Sequence, residues 1–160
     1  MRLTVYTDYS LRMLMYLAVK DDKLATISEI AASYGISKNH LMKVAHQLGI
    51  AGYVETVRGR SGGLRLAKPV AAIRLGDVVR RTEQDMALVP CFEPVNAPCA
   101  IRAGCGLRRA LARAGEAFMA VLDEYTLADL VKPRTALRSL LAIEAIGPPS
   151  RRGSGPRARA

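Results

Sequence analysis

Two short helical segments broken by a single glycine constrain this chain more than any other feature. Thr26 to Tyr34 reads as a helix with Thr26 as its N-cap, and Glu29 three residues on completes a capping box. Ile27, Ile30 and Ala31 supply its apolar face. Gly35 fits the left-handed position that ends a helix. Ser37 then caps a second segment, Lys38 to Ala51, with Leu41, Val44, Ala45 and Leu48 facing inward. Two short helices joined by a glycine turn form a helix-turn-helix, which needs a further helix to cover its apolar side. The stretch Thr7 to Lys20 fits that part, with Thr7 or Asp8 at its start and an apolar stripe of Leu11, Leu14, Met15 and Ala18. Met13 and Leu17 lie beside the stripe, so this helix is expected to be buried on more than one side.

After the second segment comes a wing. Tyr53 to Val57 alternates as a strand, Leu64 to Leu66 is another, and Arg58-Gly59-Arg60-Ser61-Gly62-Gly63 between them is turn-rich. Ile73 to Gln84 reads as a further helix. Met86 to Gly106 is irregular and holds Pro90, Pro94, Pro98 and all three cysteines. From Leu107 the pattern changes: Leu107, Leu111, Ala114, Phe118, Val121 and Tyr125 are spaced 4, 3, 4, 3 and 4, a heptad stripe that suits either a dimer seam or a packed intrachain helix. Thr135 to Ile146 reads as a last short helix. The expected class is mainly α. A winged helix-turn-helix spans 1–84, a cysteine loop 85–106, and a long dimerisation helix with a C-terminal helix 107–146. Residues 147–160, rich in Pro, Gly, Ser and Arg, are expected to be a disordered basic tail.

Charge points to a polyanionic partner. The formal net charge is +10, and removing the four tail arginines still leaves +6. Nucleic acid is the first candidate and an anionic membrane surface the competitor. No uncharged run approaches the roughly 20 residues of a membrane span, and charge at Arg2, Asp8 and Arg12 interrupts any secretory signal. A cytoplasmic location is expected, with no membrane association.

A major groove admits one α-helix, whose N-terminal residues reach base edges. Here those residues are Ser37, Lys38, Asn39, His40 and Lys43, donor-rich and free of acid. Lys38 and Lys43 suit phosphate or guanine, and Asn39 suits adenine. At the wing tip Arg58 and Arg60 stand among glycines such as Gly62, where backbone approaches phosphate closely and arginine enters a narrow minor groove. A double-stranded DNA operator is therefore the expected partner. One winged module buries little area, so specific binding favours a homodimer on a two-fold site.

The cysteines are spaced Cys91-x7-Cys99-x5-Cys105. Three thiols cannot all pair within one chain, and disulfides are disfavoured in a reducing compartment. Thiolates this close suit zinc or an iron–sulfur cluster. Zinc would look for a fourth ligand such as histidine, but His40 and His46 lie on the reading helix. No histidine–acid pair flanks a thiol, and no carboxylate pair or glycine-rich phosphate loop is visible, so an enzyme is not expected.

Four segments carry a family resemblance: Met1-Arg2-Leu3-Thr4 with Thr7-Asp8-Tyr9, Ser37-Lys38-Asn39-His40-Leu41, the Arg58–Gly63 wing and the three-cysteine loop. In this order, over about residues 1 to 140, they resemble the NsrR family of nitric-oxide-sensing iron–sulfur repressors. The resemblance implies a homodimer holding one cluster per subunit on Cys91, Cys99 and Cys105, as [4Fe–4S] in preference to [2Fe–2S]. It implies a fourth ligand at Asp8, from the partner chain. It also implies repression at an inverted-repeat operator, relieved when nitric oxide nitrosylates the cluster. Oxygen or iron–sulfur status as the signal, or a zinc-stabilised regulator without sensing, stay open as alternatives. The related IscR group carries a histidine three residues after its last cysteine, where this chain has Arg108.

Overall fold

The computed structural model describes residues 2–20, 23–92 and 99–143. Seven α-helices and one hairpin are present among them. Helix α1 (Val5–Lys20) starts two residues earlier than its apolar pattern suggests, because Thr4 and not Thr7 caps it. The Thr4 hydroxyl accepts from the Thr7 N–H at 3.2 Å. Thr7, released from capping, is fully buried. Met13 and Leu14 are also fully buried, and Leu17 nearly so, whereas Leu11 and Met15 only lean on the core. The helix is thus buried on more than one side, as a central element must be.

Helix α2 (Ile27–Tyr34) carries both bonds of the Thr26–Glu29 capping box and ends at Gly35, whose φ of 64° is left-handed. Next comes helix α3 (Lys38–Ile50). Ser37 occupies its N-cap position but makes no side-chain cap bond. Leu41, Val44, Ala45 and Leu48 are buried, the expected inward face. Strands β1 (Val54–Val57) and β2 (Gly63–Leu66) pair antiparallel, with Val54 opposite Leu66 and Val57 opposite Gly63. The wing has a third member that strand patterns do not reveal. Ala25, just before α2, exchanges two backbone hydrogen bonds with Leu64 at 2.8 and 2.9 Å.

Helix α4 (Leu75–Thr82) is shorter at both ends than the expected Ile73–Gln84. Glu83 terminates it, its N–H bonded to Val79. Helix α5 (Gly106–Asp123) is the long one. Its C-terminal end is tied to α4 by Arg80, which grips Asp123 through both guanidinium branches, and by the Leu75 N–H to the Tyr125 carbonyl at 2.9 Å. A short helix, α6 (Leu127–Leu130), has no counterpart in the sequence pattern; Thr126 and Asp129 build its capping box. Helix α7 (Arg134–Leu140) stops well before Ile146. Leu141 closes it, and Ala142 turns to a φ of 51°. Residues 144–146 of the expected helix and the expected tail, 147–160, lie outside the described residues. Two arginines of α7 reach back to α1: Arg134 donates to the Ala18 carbonyl and Arg138 to that of Val19. They meet last-turn carbonyls of α1, which have no acceptor role further along the helix and where cations are favoured.

One core runs through these parts. Ile30 from α2, Leu41 and Leu48 from α3, Ile73, and Val78 from α4 share one buried cluster with Met13, Leu14 and Val19 of α1. The architecture is a winged helix with a long helix leaving it. Among the described residues no helix is long and apolar enough to cross a membrane.

Candidate nucleic-acid interface and cysteine centre

The start of α3 offers an uninterrupted donor surface. Ser37, Lys38, Asn39, His40 and Lys43 are all exposed, while their neighbours Leu41, Val44 and Ala45 hold the helix to the core. Met42, also exposed, adds an apolar contact beside them. The wing tip is shaped by its glycines. Gly59 has a φ of 117°, and the Gly62 N–H donates to the Gly59 carbonyl at 3.0 Å. A Cβ on Gly62 would collide with the Val57 and Gly59 carbonyl oxygens. Gly62 is therefore required for the turn itself, and its service to any DNA contact is to let Arg58 and Arg60 stand at the tip. Both arginines are exposed and take no part in the described ion pairs. Arg65, behind them, is committed to Glu55 by two bonds at 3.0 and 3.2 Å, and it holds that carboxyl below its usual range.

Helix α1 touches this surface directly. Tyr9 lies against His40, ring centroids 6.1 Å apart. One residue earlier, Asp8 pairs with Arg12, Oδ1 to Nε at 2.9 Å, both about half exposed. The Arg12 guanidinium also sits 5.8 Å from the Tyr34 ring at the end of α2. Burial pushes the Tyr34 phenol up to about 12, with Arg12 opposing the shift. Asp8 is thus one link away from both helices of the helix-turn-helix. Local pattern places Asp8 at the helix start but carries no sign of the parts taken by Tyr9 and Arg12, which depend on the α1 face that meets α2 and α3.

The cysteines lie on turns around the start of α5. Cys91 is half-buried in a 3₁₀ turn, Pro90–Phe92. Cys99 is exposed, and its carbonyl accepts from the Arg102 N–H at 3.1 Å. Cys105 is the N-cap of α5, its sulfur accepting from the Arg108 N–H at 3.4 Å. Arg108 in turn places its guanidinium 5.6 Å from the Phe92 ring, joining the Cys91 turn to the Cys105 turn. Among the described residues, no three His, Cys, Asp or Glu side chains stand together as a ready-made metal site. Residues 93–98, between the first two cysteines, lie outside the described residues. The donor set still suits an iron–sulfur group. It is thiol-rich, both histidines are on α3, and the Arg108 N–H in the first turn of α5 donates to the Cys105 sulfur, which suits an anionic ligand. Zinc gains nothing from the geometry, since His40 and His46 are exposed on α3.

Comparison with known proteins gives consistent results. A family model, Rrf2, described as an iron-dependent transcriptional regulator, matches residues 3–133. The HTH-type transcriptional regulator NsrR of Bacillus licheniformis is 50% identical over 143 residues, 89% of this chain and 100% of the relative. Its namesake in Bacillus subtilis is 50% identical over 145 residues, 90% of this chain and 99% of the relative. Among solved structures, the global cysteine regulator CymR of B. subtilis superimposes with a TM-score of 0.67 at 27% identity. That match covers 81% of this chain and 95% of CymR.

Proposed function

Given that this chain belongs to the Rrf2 family of transcriptional regulators, we propose that it is a nitric-oxide-responsive repressor that acts as a homodimer on an inverted-repeat operator. That it is a DNA-binding regulator and not an enzyme follows from the family. The finer reading rests on one observation above the others: Asp8 and the reading helix are joined through adjacent residues of α1. Asp8 pairs with Arg12, which reaches Tyr34, and Tyr9 lies on His40.

In this reading Cys91, Cys99 and Cys105 hold an iron–sulfur cluster, [4Fe–4S] in preference to [2Fe–2S], and Asp8 of the second subunit completes the ligand set. When bound, the cluster supplies the iron with which nitric oxide reacts. The protein's own residues supply the response. With Asp8 engaged, the first turn of α1 is pinned and Arg12 loses its carboxylate partner, leaving its guanidinium to the Tyr34 ring alone. With Asp8 free, its carboxylate returns to Arg12 as in the present structure. Tyr9 sits between those two residues in α1, so the change reaches His40 at the DNA face. A ligand shifts an equilibrium only through contacts that differ between two states, and the Asp8 bond is that difference. Lys38, Asn39, His40, Lys43 and Ser37 read the major groove, and Arg58 and Arg60, set by Gly62, enter the minor groove. The exposed α5 stripe forms the seam between subunits.

Anaerobic purification with absorption spectra, native mass spectrometry and operator binding, before and after measured nitric oxide, tests the proposal. The expected result is a straw-brown dimer that loses operator affinity as nitric oxide is added. Colourless protein that retains zinc, or a coloured protein that responds to oxygen and not to nitric oxide, would overturn it.

A further inference from the structure

Helix α4, the segment leading to Cys91 and the first turn of α1 meet at one residue, Glu83. Its backbone N–H ends α4 by donating to the Val79 carbonyl at 2.8 Å. Its carboxylate Oε1 accepts two bonds from Thr4, 2.8 Å from the N–H and 3.1 Å from the hydroxyl. Thr4 is the residue on which the start of α1 is built. Its hydroxyl accepts from the Thr7 N–H at 3.2 Å, and its carbonyl accepts from the Asp8 N–H at 3.1 Å. Behind this pair the Thr7 hydroxyl donates to Thr82 at 2.8 Å, and the Thr82 hydroxyl donates to the Val78 carbonyl at 2.9 Å. Thr7 and Thr82 are both buried. Every hydroxyl in that chain has a partner, and leaving a buried one unpaired is costly. Just beyond Glu83 the chain runs along Arg2 and Leu3, leaving between them only a cleft of about 150 Å³.

We propose that Glu83 is a positioning residue for Asp8. It locks the first turn of α1 to the end of α4, and so fixes the backbone from which the Asp8 carboxylate is presented to the cluster of the second subunit. This rests on the reading of Asp8 as a ligand. The work is done by an acceptor oxygen and not by charge: both Thr4 bonds go to Oε1, and the carbonyl oxygen of a glutamine can accept both. That separates a positioning role from direct ligation by Glu83, which an amide would abolish.

The test compares wild type, Glu83→Gln, Glu83→Ala, Thr4→Val, Asp8→Ala and the Asp8→Ala/Glu83→Ala double variant, each reconstituted anaerobically. The first readout is the half-life of cluster absorbance in excess EDTA. The second is hydrogen exchange at the Thr7 and Asp8 amides of the metal-free proteins. Glu83→Ala is expected to shorten the half-life to within about twofold of Asp8→Ala, and Glu83→Gln to stay within about twofold of wild type. The double variant should be no worse than Asp8→Ala alone, because residues acting through one contact are not additive. In the metal-free proteins Glu83→Ala should speed first-turn exchange by about tenfold or more. Thr4→Val keeps the Thr4 N–H bond to Glu83 and the Thr4 carbonyl that accepts from Asp8, but removes the acceptor of the Thr7 N–H; it is therefore read at the Asp8 amide and in the cluster half-life, both of which should move the same way by less, and it serves if Glu83→Ala does not fold. Wild-type behaviour of both Glu83→Ala and Thr4→Val overturns the proposal alone when Asp8→Ala is impaired. So does a Glu83→Gln protein as impaired as Glu83→Ala, or additivity in the double variant. An Asp8→Ala protein with a wild-type cluster overturns the ligand reading, and this role with it.

Discussion

Gly62 shows how differently single residues can serve a fold. Its lack of a side chain is needed not for reach towards DNA but because two carbonyl oxygens occupy the space a Cβ would take. Gly62→Ala should therefore destabilise the protein by about 1–3 kcal/mol, the range for overpacked sites, and weaken operator binding by displacing the tip. Urea unfolding and an operator titration check this; a variant as stable as wild type would mean that the turn relaxes freely. Thr7 teaches the converse. As a residue type it looks like a cap, yet it is fully buried with its hydroxyl on Thr82, and Thr4 does the capping. A threonine near a helix start is legible in the sequence; which of two threonines faces solvent depends on α4 arriving alongside.

At the scale of elements, α6 is the instructive case. Its four residues are too few for a periodic signal, but Thr126 and Asp129 form a capping box, and the Thr126 hydroxyl and N–H with Lys132 hold the Asp129 carboxyl down to about 2. The folded-state value lies below the ordinary one of 3.8. The stabilisation is thus fully present above about pH 4 and is lost as pH falls from there towards 2. Asp129→Asn should be less stable than wild type near pH 5, and the gap should close by about pH 2, as urea unfolding at the two pH values will show. Helix α5 makes a larger claim. Among its side chains none is buried, and Leu107, Val121 and the following Tyr125 are 66%, 52% and 46% exposed. A heptad stripe left this open wants a partner, and the same stripe on a second copy is self-complementary under two-fold symmetry. Val121→Asp should shift the protein towards monomer in sedimentation and lower operator affinity by about tenfold or more, since losing one half-site removes about half the contacts. A variant that remains dimeric would place the seam elsewhere.

For the molecule as a whole, charge is distributed with purpose. Of the wing arginines, Arg65 is neutralised by Glu55, while Arg58 and Arg60 are outside the described ion pairs. The cations at the tip are those expected to release counterions from DNA. Replacing both Arg58 and Arg60 with glutamine removes four cations from the proposed dimer and should reduce the slope of log affinity against log salt by up to about 3.6, at roughly 0.9 per phosphate. Binding measured across a salt series decides this; an unchanged slope would take the wing off the phosphate backbone. The tip also stays in register with α3 through the core. Leu64 of β2 bonds to Ala25 ahead of α2, which ties the wing to the start of the helix-turn-helix.

The sequence by itself determined the winged helix. Capping pairs, a left-handed glycine, a two-residue strand period and a heptad stripe are local signals, and each acts within a few residues of where it is written. It also marked the cysteines as chemically distinctive, whereas Asp8 reads locally as a first-turn acid and is singled out only by the family resemblance. Only the tertiary structure decided what Asp8 is connected to. That Thr4 is held by Glu83, that Arg12 faces Tyr34 and that Tyr9 lies on His40 are contacts between elements 22 to 79 residues apart. They arise from how α1 rotates as it buries Met13 and Leu14 against α3 and α4. Packing of the whole core sets that rotation, and no local pattern encodes it.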